Sequence, residues 1–109
     1  MNARVIPLRI SLESGGAVSA ILQQPDGARA CFVMAHGAGA GMNHPFMATL
    51  SEALGKRSVA TLRYQFPYME RGSKRVDSQA VAHAAVQAAV AEARRRLPAL
   101  PLFAGGRSF

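Results

Sequence analysis

Polar and apolar residues alternate from Arg4 to Leu12, with Val5, Pro7 and Arg9 on one side and Ile6, Leu8, Ile10 and Leu12 on the other. A period of two belongs to a half-buried β-strand, so this segment predicts the first strand. Gly15-Gly16 breaks the alternation, and Val18 to Gln23 predicts the return strand of a β-hairpin. Gln24-Pro25-Asp26-Gly27 follows with turn chemistry. The pattern then changes, because Ala30-Cys31-Phe32-Val33-Met34-Ala35 is apolar without alternation, as in a parallel strand covered on both faces.

From Pro45 the apolar positions fall at helical spacing. Proline suits the first helical position, Phe46, Leu50 and Leu54 share one face with Met47 and Ala53 beside it, and Gly55 stands where a helix stop belongs. One helix over Pro45 to Leu54 is predicted. Ser58 to Tyr64 predicts another buried strand, and Gln65 to Gly72 a long surface loop. Asp77 or Ser78 could cap a second helix that runs to about Leu97, with Ala82, Val86, Ala89, Val90, Ala93 and Leu97 on its apolar stripe. Pro98 stops it, and Pro101 to Ala104 predicts the last strand. The order β-β-β-α-β-α-β, with alternating units after the hairpin, predicts one α/β domain over residues 1–109 built on a parallel sheet with flanking helices.

Composition narrows the class. The chain is 109 residues long, 50% hydrophobic and 17% charged, an ordinary globular balance rather than a disordered one. No apolar run approaches the roughly 18 residues of a membrane span, and Met1-Asn2-Ala3-Arg4 leads into alternation rather than a signal core, so a cytoplasmic protein is expected with no membrane partner. Cys31, the single cysteine, lies inside the apolar run and predicts a buried, inert thiol. The net charge of +7 is spread out except at Arg71-Lys74-Arg75 and Arg94-Arg95-Arg96. The second cluster falls in the last turn of a helix, where positive charge opposes the dipole, so no nucleic-acid partner is expected.

Two glycine-bearing stretches carry the candidate chemistry. Gly37-Ala38-Gly39-Ala40-Gly41 follows the third strand, at the carboxyl end where open α/β sheets hold ligands. The pattern Gly37-x-Gly39 resembles part of a dinucleotide-binding fingerprint. Position 42 is Met where that fingerprint has Gly, and Met42-Asn43-His44 separates the glycines from the helix, which weakens an NADP-binding reading. At the other end, Gly106-Arg107-Ser108-Phe109 supplies the first four positions of a G-x-S-x-G nucleophile elbow after a strand. Such a turn lifts a serine hydroxyl off the sheet edge, and small neighbours make it sterically feasible.

Taken together, Ala35-His36-Gly37-Ala38-Gly39, Arg63-Tyr64-Gln65-Phe66-Pro67 and Gly105-Gly106-Arg107-Ser108-Phe109 resemble the α/β-hydrolase superfamily in order and spacing. The pattern is most similar to its dienelactone-hydrolase-like branch, which includes testis-expressed-protein and NSL-complex-subunit hydrolase-like domains. The resemblance implies the N-terminal part of an α/β-hydrolase fold, a β-hairpin followed by βαβαβ, with sheet order 1-2-4-3-5 and the second strand antiparallel. It implies Ser108 as nucleophile and the backbone N–H groups of Ala38 and Phe109 as the oxyanion hole. It implies no cofactor and no metal. His36 matches the family's structural His-Gly turn, while His44 and His83 match no catalytic motif and read as surface residues before and on a helix.

The superfamily places its acid and its histidine after the nucleophile, and this chain ends one residue after Ser108. The expectation is therefore an amino-terminal half truncated at the elbow. It should be inactive alone, directed at a small acyl or ester substrate when completed, and open to self-association through an exposed fifth strand. A non-catalytic hydrolase-like scaffold is the reading from another class.

Overall fold

The computed structural model describes residues 3–13, 15–37 and 40–106. Its elements are β1 (Ala3–Ser11), β2 (Ala17–Pro25), β3 (Ala30–Ala35), α1 (Pro45–Lys56), β4 (Val59–Tyr64), α2 (Pro67–Glu70), α3 (Gln79–Arg96) and β5 (Leu102–Gly106). The sheet order is β1-β2-β4-β3-β5, as the resemblance implies. β2 runs antiparallel to both β1 and β4. β3 runs parallel to β4 on one side and to β5 on the other.

Local chemistry accounts for the hairpin. Gly15 and Gly16 take φ of 100° and 78°, a left-handed geometry that a side chain resists, and Leu12 closes the turn by donating to the Gly16 carbonyl at 3.0 Å. The alternating residues then put Ile10, Val18, Ala20 and Leu22 on a single buried face. β3 has no polar side chain, which matches its place between two strands. Burial pushes the Cys31 thiol up to about 11, so it is neutral and unreactive near pH 7.

α3 covers one face of the sheet. Val33, Ala35, Ala60, Leu62 and Tyr64 form one apolar cluster with Ala85, Ala89, Ala93 and Leu97 of the helix. The predicted stripe is thus rotated towards Ala85, with Ala82, Val86 and Val90 only partly buried. Alanines let the helix lie close to the sheet, and that close approach selects the smallest residues for its centre. Ser78 caps it by accepting from the Val81 N–H at 3.3 Å. Glu92 is buried near its end and is paired with Arg95 and with Arg96 (Nε 2.7 Å), so two of the three clustered arginines neutralise this carboxylate.

α1 covers the other face, and here the sequence expectation is corrected. The buried residues are Met47, Ser51 and Gly55, whereas Phe46 stays 40% exposed. The helix turns its small residues to the sheet, and the Ser51 hydroxyl donates to the Met34 sulfur at 3.7 Å. Gly55 is therefore a packing residue and not the stop. The helix ends at Lys56 with Arg57 as its C-cap, and Ser58 takes the left-handed φ of 66° that a terminating glycine would have taken. The predicted surface loop Gln65 to Gly72 is also corrected, since it contains α2 and buries Phe66, Pro67 and Tyr68. β5 extends to Gly106, two residues beyond the predicted strand.

Candidate active site

Because β3, β4 and β5 are parallel, their carboxyl ends open on one edge of the sheet. Ala35 pairs with Tyr64 on one side and with Gly106 on the other, so the ends of the three adjacent strands, with His36-Gly37 after β3 and Gln65-Phe66 after β4, stand at one level. Ser108, Phe109 and Ala38 lie outside the described residues. What the structure brings together is the backbone leading into them: Gly37 immediately before Ala38, and Gly106 two residues before Ser108.

His36 is fully buried at this edge. Its Nε2 accepts from the Phe66 N–H at 3.0 Å, and its Nδ1 lies 2.8 Å from the Gly37 carbonyl. A backbone N–H can only donate, so Nε2 is unprotonated and Nδ1–H is the donor to Gly37. Burial holds the imidazole below its ordinary value, partly offset by the Gly37 carbonyl and the charge of Asp77. The rings of Phe66 and Tyr68 meet it edge-on, with centroids 4.9 and 6.0 Å away. Both nitrogens are therefore occupied, Nε2 tying the β3 loop to the β4 loop and Nδ1 bonding within the β3 loop. His36 has a structural geometry, not that of a general base.

The other two histidines belong to helices. His44 caps α1, its Nδ1 accepting from the Phe46 N–H at 3.1 Å. His83 is exposed on α3, beside a recess of about 330 Å³ that it lines with Phe66, Tyr68, Val76 and Ala82. Asp77, the alternative cap for α3, instead accepts from the Tyr68 N–H at 3.1 Å and pairs with Arg71 at 3.4 Å. Among the described residues no three His, Cys, Asp or Glu side chains converge as metal ligands, and no helix is long and apolar enough to cross a membrane.

The end of the glycine loop is held from β4 by two residues whose part was not read from the sequence. The Gln65 Oε1 accepts from the Met42 N–H at 2.8 Å, and buried Arg63 donates through Nη1 to the Met42 carbonyl at 3.4 Å. Burial lowers the Arg63 pKa, and its Nε has no hydrogen-bond partner among the described residues. Gly41 takes φ of 77°, and a Cβ there would lie 3.0 Å from the Met69 Cε and 3.2 Å from the Gln65 Oε1. The Arg63-to-Pro67 motif marked this segment. Its contacts span more than twenty positions, which no local pattern reports.

α2 is tied in turn to the hairpin. Glu70 accepts from the Ser19 N–H and Ser19 hydroxyl at 2.9 Å and pairs with Arg9 at 2.7 Å. Burial alone would push this carboxyl up, but the Ser19 and Arg9 donors together hold it below its ordinary value.

A mixed-sheet α/β fold whose parallel strands β3 and β5 are followed in the sequence by Gly37-Ala38-Gly39 and Gly106-Arg107-Ser108 defines a class. The α/β hydrolase domain family matches residues 28–109, and the chain belongs to that family. Solved structures agree on the fold. A dienelactone hydrolase from Anabaena variabilis superposes with a TM-score of 0.84 at 18% identity, over 99% of this chain and 53% of that one. An α/β serine hydrolase homologue from Coxiella burnetii gives 0.77 at 17% identity, over 93% and 50%. An esterase from Pyrococcus furiosus gives 0.78 at 16% identity, over 96% and 40%. The chain thus spans about half the length of the first two. Comparison with curated proteins finds no match.

Proposed function

We propose that this chain is the nucleophile-bearing half of a serine hydrolase acting on a small carboxylester or acyl substrate. The observation that carries the reading is the level pairing of Ala35 with Gly106, which starts the glycine loop and the Gly-x-Ser turn from neighbouring strand ends. In this reading the Ser108 hydroxyl attacks the acyl carbon and gives its proton to a histidine. The oxyanion accepts hydrogen bonds from the backbone N–H groups of Ala38 and Phe109, the alcohol departs with a proton, and water releases the acid.

The base comes from outside these 109 residues. His36 has both nitrogens engaged, His44 caps α1, and His83 lies on α3. The isolated chain is therefore inactive, since a serine hydroxyl without an adjacent base is a weak nucleophile. The same observation favours the second reading, a non-catalytic hydrolase-like scaffold, for the chain on its own.

The test compares wild type and Ser108→Ala in a protein whose chain continues past Phe109 with a partner half supplying acid and histidine. Wild type should be labelled by a fluorophosphonate and should cleave a small aryl ester, and Ser108→Ala should do neither while remaining folded. Equal labelling or turnover in the two overturns the assignment of Ser108. A folded wild type silent towards both reagents transfers the reading to the scaffold.

A further inference from the structure

The end of the sheet opposite the carboxyl strand ends collects positive charge. β3, β4 and β5 start there, with Ala30 level with Val59 and Cys31 level with Leu102. β1 begins and β2 finishes at the same end, where Ala3 pairs with Pro25, and α1 and α3 also finish there, at Lys56 and Arg96. Six exposed arginines therefore meet: Arg4 from β1, Arg29 from the connection between β2 and β3, Arg57 from the end of α1, and Arg94, Arg95 and Arg96 from the end of α3. They form a continuous band. Arg29 donates through Nη2 to the Arg57 carbonyl at 3.3 Å, and its neighbour Ala28 lines the same cleft as Arg4 and Arg96.

Local negative charge does not balance this band. Glu92 is buried against Arg95 and Arg96, Asp26 stands exposed at the cleft, and each helix end contributes only about half a negative charge, so a surplus of about three positive charges remains. All six are arginines, whose planar fork matches a carboxylate through two hydrogen bonds. The cleft has a volume of about 340 Å³. Buried Pro25 and Leu97 and half-buried Ala28 and Leu100 line it together with exposed Arg4, Arg96 and Asp26. Such a site suits an apolar side chain held between two anions. A nucleic-acid backbone has no group for the apolar lining and is repelled by Asp26, whereas a peptide offers that carboxylate a backbone N–H.

We infer that this arginine-rich end is a docking surface for an acidic peptide segment of a partner protein. One large apolar side chain of the segment enters the cleft between Arg4 and Arg96, and carboxylates on either side of it pair with the arginines. The surface lies across the sheet from the candidate active site, so a docked segment leaves that site open. Every residue in it falls between Arg4 and Leu100, and it stands whether or not Ser108 is a nucleophile.

The experiment uses the whole chain and a fluorescein-labelled peptide whose central leucine is flanked on both sides by glutamates. Fluorescence anisotropy should show saturable binding that weakens as salt is added. Arg4→Glu combined with Arg29→Glu, at two exposed positions outside the core, should keep the far-ultraviolet spectrum and weaken binding by about tenfold or more. Lys74→Glu combined with Arg75→Glu makes the same change of net charge at exposed positions between α2 and α3, and should leave binding unchanged. Serine in place of the peptide's leucine should weaken binding as well. Absence of binding overturns the inference, as does an equal loss in the two double variants or a peptide that binds equally well without its leucine. Tighter binding of single-stranded DNA or of phosphatidylserine vesicles than of the peptide overturns it too, and assigns the arginines to phosphate.

Discussion

The two faces of this sheet do different work. Under α3 the core is apolar, Leu62, Tyr64, Val33 and Ala35 against a row of alanines, with the paired Glu92 the one buried charge of the helix. Under α1 the same strands present Met34, Thr61 and Arg63 to a helix that answers with Met47, Ser51 and Gly55. Thr61 and Leu62 are neighbours on β4 and both are fully buried, yet the Thr61 hydroxyl has no hydrogen-bond partner among the described residues. One face is therefore the main apolar cluster. The other carries polar groups that cost stability, and two consecutive odd positions of β4 and its exit, Arg63 and Gln65, reach the glycine loop from there.

The sharpest way to break that comparison is on the apolar face. Leu62→Ala should lower unfolding stability by about 3 kcal/mol, read by urea denaturation, because the alanines of α3 cannot collapse into the space. A loss no larger than that of an exposed residue would show that α3 does not hold the core.

Next is His36, which links the loops above both faces. His36→Ala strands the Phe66 N–H and should cost about 2 kcal/mol. The sign of its pH effect follows from its lowered pKa. Below the ordinary 6.5 the unfolded chain takes up a proton that the folded one refuses, so stability is full above about 6.5 and falls as pH drops towards the folded value. That limb should vanish in His36→Ala.

Gly41→Ala combines a left-handed φ with a close approach to Met69 and Gln65, and should cost about 1–2 kcal/mol. Amide exchange at Met42 should quicken with it. On the polar face the sign reverses: Thr61→Val removes a buried hydroxyl without a partner and should be neutral or stabilise by up to about 1 kcal/mol. A marked loss instead would mean that the hydroxyl is satisfied in solution.

The smallest effect belongs to Glu70, whose arginine partner is largely exposed. Glu70→Gln should cost below about 1 kcal/mol at neutral pH. With its carboxyl held below the ordinary 4.5, its contribution is present above that value and is lost as pH falls through the folded one. Its acid limb should thus lie below that of His36, and each substitution should remove its own.

Much of the fold was legible before any coordinates. Alternation from Arg4 to Leu12 marked a strand with one wet side, and the unbroken apolar run at Ala30 to Ala35 marked one with none. Gly15-Gly16 marked the hairpin turn because only glycine takes its φ without strain. The candidate site was legible as three motifs at three strand ends. The burial of Phe66, Pro67 and Tyr68 was not, because a short segment between Pro and Gly looks the same whether it faces water or another loop.

By itself, then, the sequence determined the kind and order of the elements, since period, turn chemistry and caps act over a few residues. Tertiary structure alone decided which side of α1 met the sheet. Helical spacing offered Phe46, Leu50 and Leu54, but close approach to β4 favoured the smaller Ser51 and Gly55. Tertiary structure also decided what His36 does. Its role is set by an N–H thirty residues away that reaches it only because β3 and β4 end side by side.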